Sequence, residues 1–97
     1  MHLQVDQAKI VDFCRRHRIR KLAFFGSVLT SDFGPGSDVD VLVEFEPGAR
    51  IGLFGLGAMQ IELAELLGRE VDLRTPQDLS RYFRDDVLRQ AKVQYAA

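Results

Sequence analysis

Three aspartates stand where aspartate is out of place. Asp38 and Asp40 bracket Val39 at the head of Asp38-Val39-Asp40-Val41-Leu42-Val43-Glu44-Phe45, a run whose β-branched content predicts a strand. Successive strand side chains point to opposite faces, so Val39, Val41, Val43 and Phe45 share one face and Asp38 and Asp40 the other. Asp72 lies between Val71 and Leu73 in a second short run, Glu70 to Arg74, with the same hydrophobic–Asp–hydrophobic arrangement. If the two runs pair, three carboxylates gather on one surface. Their ionised forms repel unless a cation neutralises them, and converging hard oxygen ligands suit Mg²⁺ or Mn²⁺ better than zinc. A lone carboxylate on an open strand face is ordinarily just solvated. Three in one small sheet depart from that pattern, because strands disfavour aspartate.

The second chemical element is Gly26-Ser27, which closes the apolar run Leu22-Ala23-Phe24-Phe25. A glycine lets backbone approach a phosphate, and the N–H groups and hydroxyl beside it can bind phosphate oxygens. By itself Gly-Ser is more often a plain turn. Here a ten-residue spacer, rich in the breakers Asp32, Gly34, Pro35, Gly36 and Ser37, leads from it to Asp38.

The remaining pattern supplies the elements that would hold these residues. Ile10, Phe13, Cys14 and His17 follow helical spacing over about residues 5–17. Leu53, Leu56, Ile61, Leu63, Leu66 and Leu67 mark a second helix from about 53 to 67, packed on the sheet and stopped by Gly68. Thr75-Pro76 opens a helical turn. A last helix over about 80–92 is expected to bury Phe83, Val87 and Ala91. The expected order is helix, strand, turn, strand, helix, strand, helix, an α+β fold with a small mixed sheet and helices on one face.

Ninety-seven residues fit one domain, 1–97. Thirteen Lys+Arg against fourteen Asp+Glu leave a formal charge of −1, without the positive excess that binding to nucleic acid usually needs. The one basic cluster, Arg15, Arg16, His17, Arg18, Arg20 and Lys21, reads as a solvated helix end. Cys14 has no partner for a disulfide, and its helical spacing makes it a buried, inert thiol. No apolar stretch is long enough for a signal peptide or a membrane span, so a cytoplasmic setting is expected. His2 and His17 lack companions at metal-ligand spacing. Gly52, Gly55 and Gly57 have the wrong order for a dinucleotide fingerprint and read as a loose helix start. Tyr82 and Tyr95 read as packing residues.

Gly26-Ser27, ten residues, then Asp38-Val39-Asp40 resembles the G-S-x10-D-x-D signature of the DNA polymerase β-like nucleotidyltransferase superfamily. Within it the chain resembles the minimal nucleotidyltransferases, the antitoxin half of HEPN/MNT toxin–antitoxin pairs. Phe24 to Ser27, Ser37 to Phe45, Leu67 to Leu73 and Leu79 to Tyr95 all read like that family, so the likeness spans most of the chain. The resemblance implies that Asp38 and Asp40 hold Mg²⁺, with Mn²⁺ as an alternative. It implies that Asp72 binds metal or activates the attacking hydroxyl, and that Gly26, Ser27 and Ser37 bind the nucleotide.

The activity it implies is transfer of AMP from ATP to a tyrosine of a HEPN ribonuclease toxin, in a hetero-oligomer. Two other functions stay open: neutralisation of the toxin by contact alone, and catalysis as one subunit of a small-molecule nucleotidyltransferase. One departure bears on that choice. Many relatives carry an arginine-bearing stretch after Gly-Ser, and this chain has Val28-Leu29-Thr30-Ser31. The missing cation would have to come from elsewhere, and Arg74 and Arg81 are the candidates.

Overall fold

The computed structural model describes residues 3–97. Its elements run α1 (Gln7–Arg16), β1 (Ile19–Phe25), a 3-10 turn (Gly26–Leu29), β2 (Val39–Phe45), α2 (Leu53–Leu67), β3 (Val71–Arg74), a second 3-10 turn (Pro76–Asp78), α3 (Arg84–Gln90) and β4 (Lys92–Ala96). The sheet order is β3-β2-β1-β4. β1 runs antiparallel to both β2 and β4, and β2 runs parallel to β3. The sheet is mixed, as the sequence predicts.

Each early element forms for a local reason. Asp6 caps α1 by accepting from the Ala8 and Lys9 N–H groups, and Ile10, Phe13 and Cys14 form its buried stripe. α2 ends at Gly68, whose φ of 67° is the left-handed conformation that a C-terminal cap requires. The parallel β2–β3 pair needs a crossover, and α2 supplies it.

One core joins α1, β1, β2 and α2. Phe13, Leu22, Phe24, Val39, Val41, Val43 and Leu63 are all fully buried within it. Within α2 the inward stripe is Met59, Leu63, Leu66 and Leu67, spaced i, i+4, i+7, i+8. Ile61 falls opposite and is 64% exposed, and Leu53 at the first turn is 86% exposed. These two do not pack on the sheet as their apolar character suggests. Burial of Cys14 pushes its thiol up to about 12, which leaves it without thiolate character near neutrality.

The C-terminal segment departs from its expected form. α3 is seven residues long and buries none of its residues fully, Phe83 is 51% exposed, and Val87 and Ala91 are half-buried. Residues 92–96 form a fourth strand that pairs with β1 in place of a helix end. Tyr95 packs against the core from this strand, while Tyr82 is 83% exposed and does not pack. The helical periodicity ends where the chain pairs with β1, whose N–H and C=O groups on that side would otherwise form an open edge.

Candidate active site

β2 is a strand with two different faces. Val39, Val41 and Val43 enter the core, and Asp40, Leu42 and Glu44 take the other side. Leu42 and its cross-strand partner Ala23 are themselves buried on that second face. The polar site is therefore confined to the end of the sheet where β2 begins and β1 ends.

The parallel pairing sets Asp40 level with Asp72, and the antiparallel pairing sets Asp40 opposite Phe25, the residue before Gly26. Three of the predicted site residues thus meet: Asp40, Asp72 and Gly26. Asp38 precedes β2, is exposed, and adds its charge to the same field. Burial first, then the charges of Asp72 and Asp38, push the Asp40 carboxyl above the usual carboxylate range, while Arg74 pulls it back.

Gly26 is tied to Asp40 by geometry. Its φ of 74° is left-handed, and a Cβ there would run into Asp40 Oδ2. Only glycine fits both conditions. Ser27 follows in the 3-10 turn, half-buried, and its hydroxyl has no partner among the described residues. Its carbonyl accepts from the N–H and the hydroxyl of Thr30, each at 2.9 Å, which stiffens the turn. Ser37 is differently placed. Its hydroxyl accepts from the Gly34 N–H at 3.1 Å and closes a loop turn.

Val28 points into the core and is fully buried, with Leu29 packed beside it. The stretch after Gly-Ser is an anchor for the turn and brings no cation. Arg74 does. From the face that carries Asp72 it donates Nε to Oδ1 at 3.1 Å and a terminal nitrogen to Oδ2 at 3.2 Å. Those hydrogen bonds raise the pKa of Arg74 and keep it charged. Arg81 instead lies over the Tyr82 ring at 5.2 Å.

Among the described residues no three His, Cys, Asp or Glu side chains converge on one metal-sized position. Asp72 is turned to Arg74, which leaves Asp38 and Asp40 as the two site carboxylates without a cation of their own. That donor set fits Mg²⁺, which commonly takes one or two carboxylates and completes its shell with phosphate oxygens and water. The crowding of charge on Asp40 is the unfavourable interaction that such an ion would relieve.

Sequence reasoning missed Arg69. One terminal nitrogen donates to the carbonyls of Gly34 and Ser37, and the guanidinium lies over the Phe33 ring at 4.3 Å. It missed Gln60 too, whose side-chain oxygen accepts from the Leu73 N–H at 3.0 Å and steadies the strand carrying Asp72. Both contacts bridge residues far apart in the chain, so no local motif announces them. Part of the basic cluster proves to be paired: Arg16 with Asp12 and Glu62, Arg20 and Lys21 with Glu44. His17 caps α1 and bonds Glu62 at 2.9 Å.

Comparison with known proteins gives this geometry a family. A family model described as a nucleotidyltransferase domain matches residues 8–94. A presumptive protein adenylyltransferase of Methanocaldococcus jannaschii is 32% identical over 91 residues, covering 94% of this chain and 96% of its own. A solved structure of a presumptive minimal nucleotidyltransferase is 33% identical, with a TM-score of 0.72 over 88% of this chain and 85% of its own. The fold is also that of a solved complex of a tri-AMPylated Shewanella oneidensis HEPN toxin with an MNT antitoxin. There the identity is 22% and the TM-score 0.68, over 94% of this chain and 70% of the matched one.

Proposed function

The chain belongs to the nucleotidyltransferase domain family, and on that premise we propose that it transfers AMP from ATP to a tyrosine hydroxyl of a HEPN-type toxin and thereby acts as its antitoxin. The observation that carries this reading is the level placement of Asp40 and Asp72 on adjacent parallel strands, with Gly26 pressed against Asp40. The relatives support a protein acceptor: one carries the name of a protein adenylyltransferase, and another is bound to an AMPylated toxin.

In this reading Asp38 and Asp40 would hold Mg²⁺, which when bound would supply neutralisation of phosphate charge. The Gly26 and Ser27 N–H groups and the Ser27 hydroxyl bind triphosphate oxygens. Asp72 accepts the proton of the attacking hydroxyl. The hydroxyl oxygen bonds to the α-phosphorus, the bond from that phosphorus to the bridging oxygen breaks, and pyrophosphate leaves. Arg74 must release Asp72 for that step, and its guanidinium is then free to meet phosphate charge. The reaction belongs to the cytoplasm, in keeping with a lone, unreactive Cys14.

The bidentate grip of Arg74 on Asp72 favours one rival, neutralisation of the toxin by contact with the carboxylate left locked. Asp72→Asn separates the two. The change is nearly isosteric, and loss of a general base costs about 10²–10⁴ in rate. The expected outcome is that the intact mass of the toxin no longer rises by AMP after incubation with Mg·ATP, and that cells are no longer protected. Protection that persists without added AMP would establish contact as the mechanism.

A further inference from the structure

Asp38 is the exposed member of the carboxylate pair. It precedes β2, and its side chain accepts no hydrogen bond among the described residues. Its placement therefore rests on the backbone either side. The loop leading to it contains Gly34 and Gly36, which give a chain little stiffness of their own. Both flanking peptides are nevertheless held, and by consecutive residues just before β3. The peptide before Asp38 is held through the Ser37 carbonyl, which accepts from Arg69 at 2.9 Å. The peptide after it is held through the Val39 N–H, which donates to the Glu70 carbonyl at 2.9 Å.

Arg69 does more than close one bond. Its guanidinium also reaches the Gly34 carbonyl and stacks over Phe33. The Ser37 N–H returns to the Gly34 carbonyl at 3.0 Å, so the guanidinium grips a turn already closed on itself. A planar, always-charged group with several donors can hold two carbonyls and an aromatic face together, and a lysine cannot.

We propose that Arg69 is a positioning residue of the nucleotidyl-transfer site: through the Ser37 carbonyl it holds Asp38 where Asp38 and Asp40 can share a divalent cation. The inference rests on the reading of those aspartates as the metal pair. Residues that orient metal ligands from behind typically contribute 10–100-fold to metal affinity.

The test reads binding directly, without turnover. Free Mn²⁺ is titrated by electron paramagnetic resonance against the full chain in the presence of AMP-PNP, with circular dichroism confirming the fold. Arg69→Met should weaken Mn²⁺ binding by about tenfold or more, and Arg69→Lys should recover part of the loss. Hydrogen exchange at the amides of Ser37 and Asp38 should quicken in Arg69→Met without nucleotide. A folded Arg69→Met chain that binds Mn²⁺ like the wild type overturns the proposal. Should Arg69→Met fail to fold, Phe33→Leu removes the aromatic face under the guanidinium while keeping an apolar side chain against the core, and should weaken Mn²⁺ binding about two- to fivefold; unchanged affinity in that variant overturns the proposal as well. A wild-type chain that binds no Mn²⁺ with AMP-PNP instead overturns the reading of the aspartates beneath it.

Discussion

The two faces of β2 divide the labour of this molecule within seven residues. On one, Val39, Val41 and Val43 are wholly buried in one cluster with the apolar stripes of α1 and α2. On the other, Asp40 stands half-buried beside two further carboxylates, with its proton held more tightly than usual. The first face lowers the free energy of folding. The second raises it, because like charges are brought together and partly desolvated. A protein retains such an arrangement where something that binds there offsets the cost. Substitutions on alternate residues of one strand should therefore separate stability from activity.

The largest effect is expected at Asp40. Asp40→Asn removes a proposed metal ligand and the carboxylate nearest Gly26, so AMP transfer measured by mass should fall by about 10³-fold or more, on the order of other essential catalytic groups. Folding should be unharmed. A variant that retains more than a tenth of wild-type transfer would move the metal pair elsewhere.

Next in size is Val41→Ala, one residue along and facing the core. It leaves a cavity between the sheet and its helices and should cost roughly 2 kcal/mol, a fall in Tm of about 10 °C for a chain of this length. Transfer measured well below the new Tm should stay within about twofold of the wild type, since no polar atom moves. A large loss of transfer in a folded Val41→Ala chain would show that the two faces are coupled.

The smallest effect is a pH dependence. A carboxyl whose folded pKa is raised stabilises the fold fully when protonated, below its unfolded pKa, and that contribution is lost as pH rises through the folded pKa. Asp40→Asn should accordingly melt higher than the metal-free wild type at neutral pH, with the gain vanishing below about pH 4. Solvent screening of a half-exposed group keeps the gain within about 1 kcal/mol. Added Mg²⁺ should shrink the difference by stabilising the wild type alone. Glu62, held below the usual range first by its hydrogen bond to Arg16, contributes in the opposite sense, but equally in both proteins.

Much of this was legible in the residues alone. Alternation along Asp38 to Phe45 specifies which side chains share a face, because the strand period is two whatever the strand pairs with. The stripe of α1, the stop of α2 at Gly68 and the turn at Gly26-Ser27 are likewise local matters of spacing and backbone conformation. Three things required tertiary structure. The first was the C-terminal strand: Lys92 to Ala96 takes its form from the open edge of β1, some seventy residues earlier in the chain. The second was the pairing of β2 with β3 that levels Asp40 with Asp72. The third was the set of arginines that serve the site. The sequence narrows thirteen cations to Arg74 and Arg81 as partners of the site and says nothing of Arg69. Only folding chooses Arg74 over Arg81 and sets Arg69 behind Asp38, because a long flexible side chain takes its role from the carbonyl or carboxylate the fold brings within its reach.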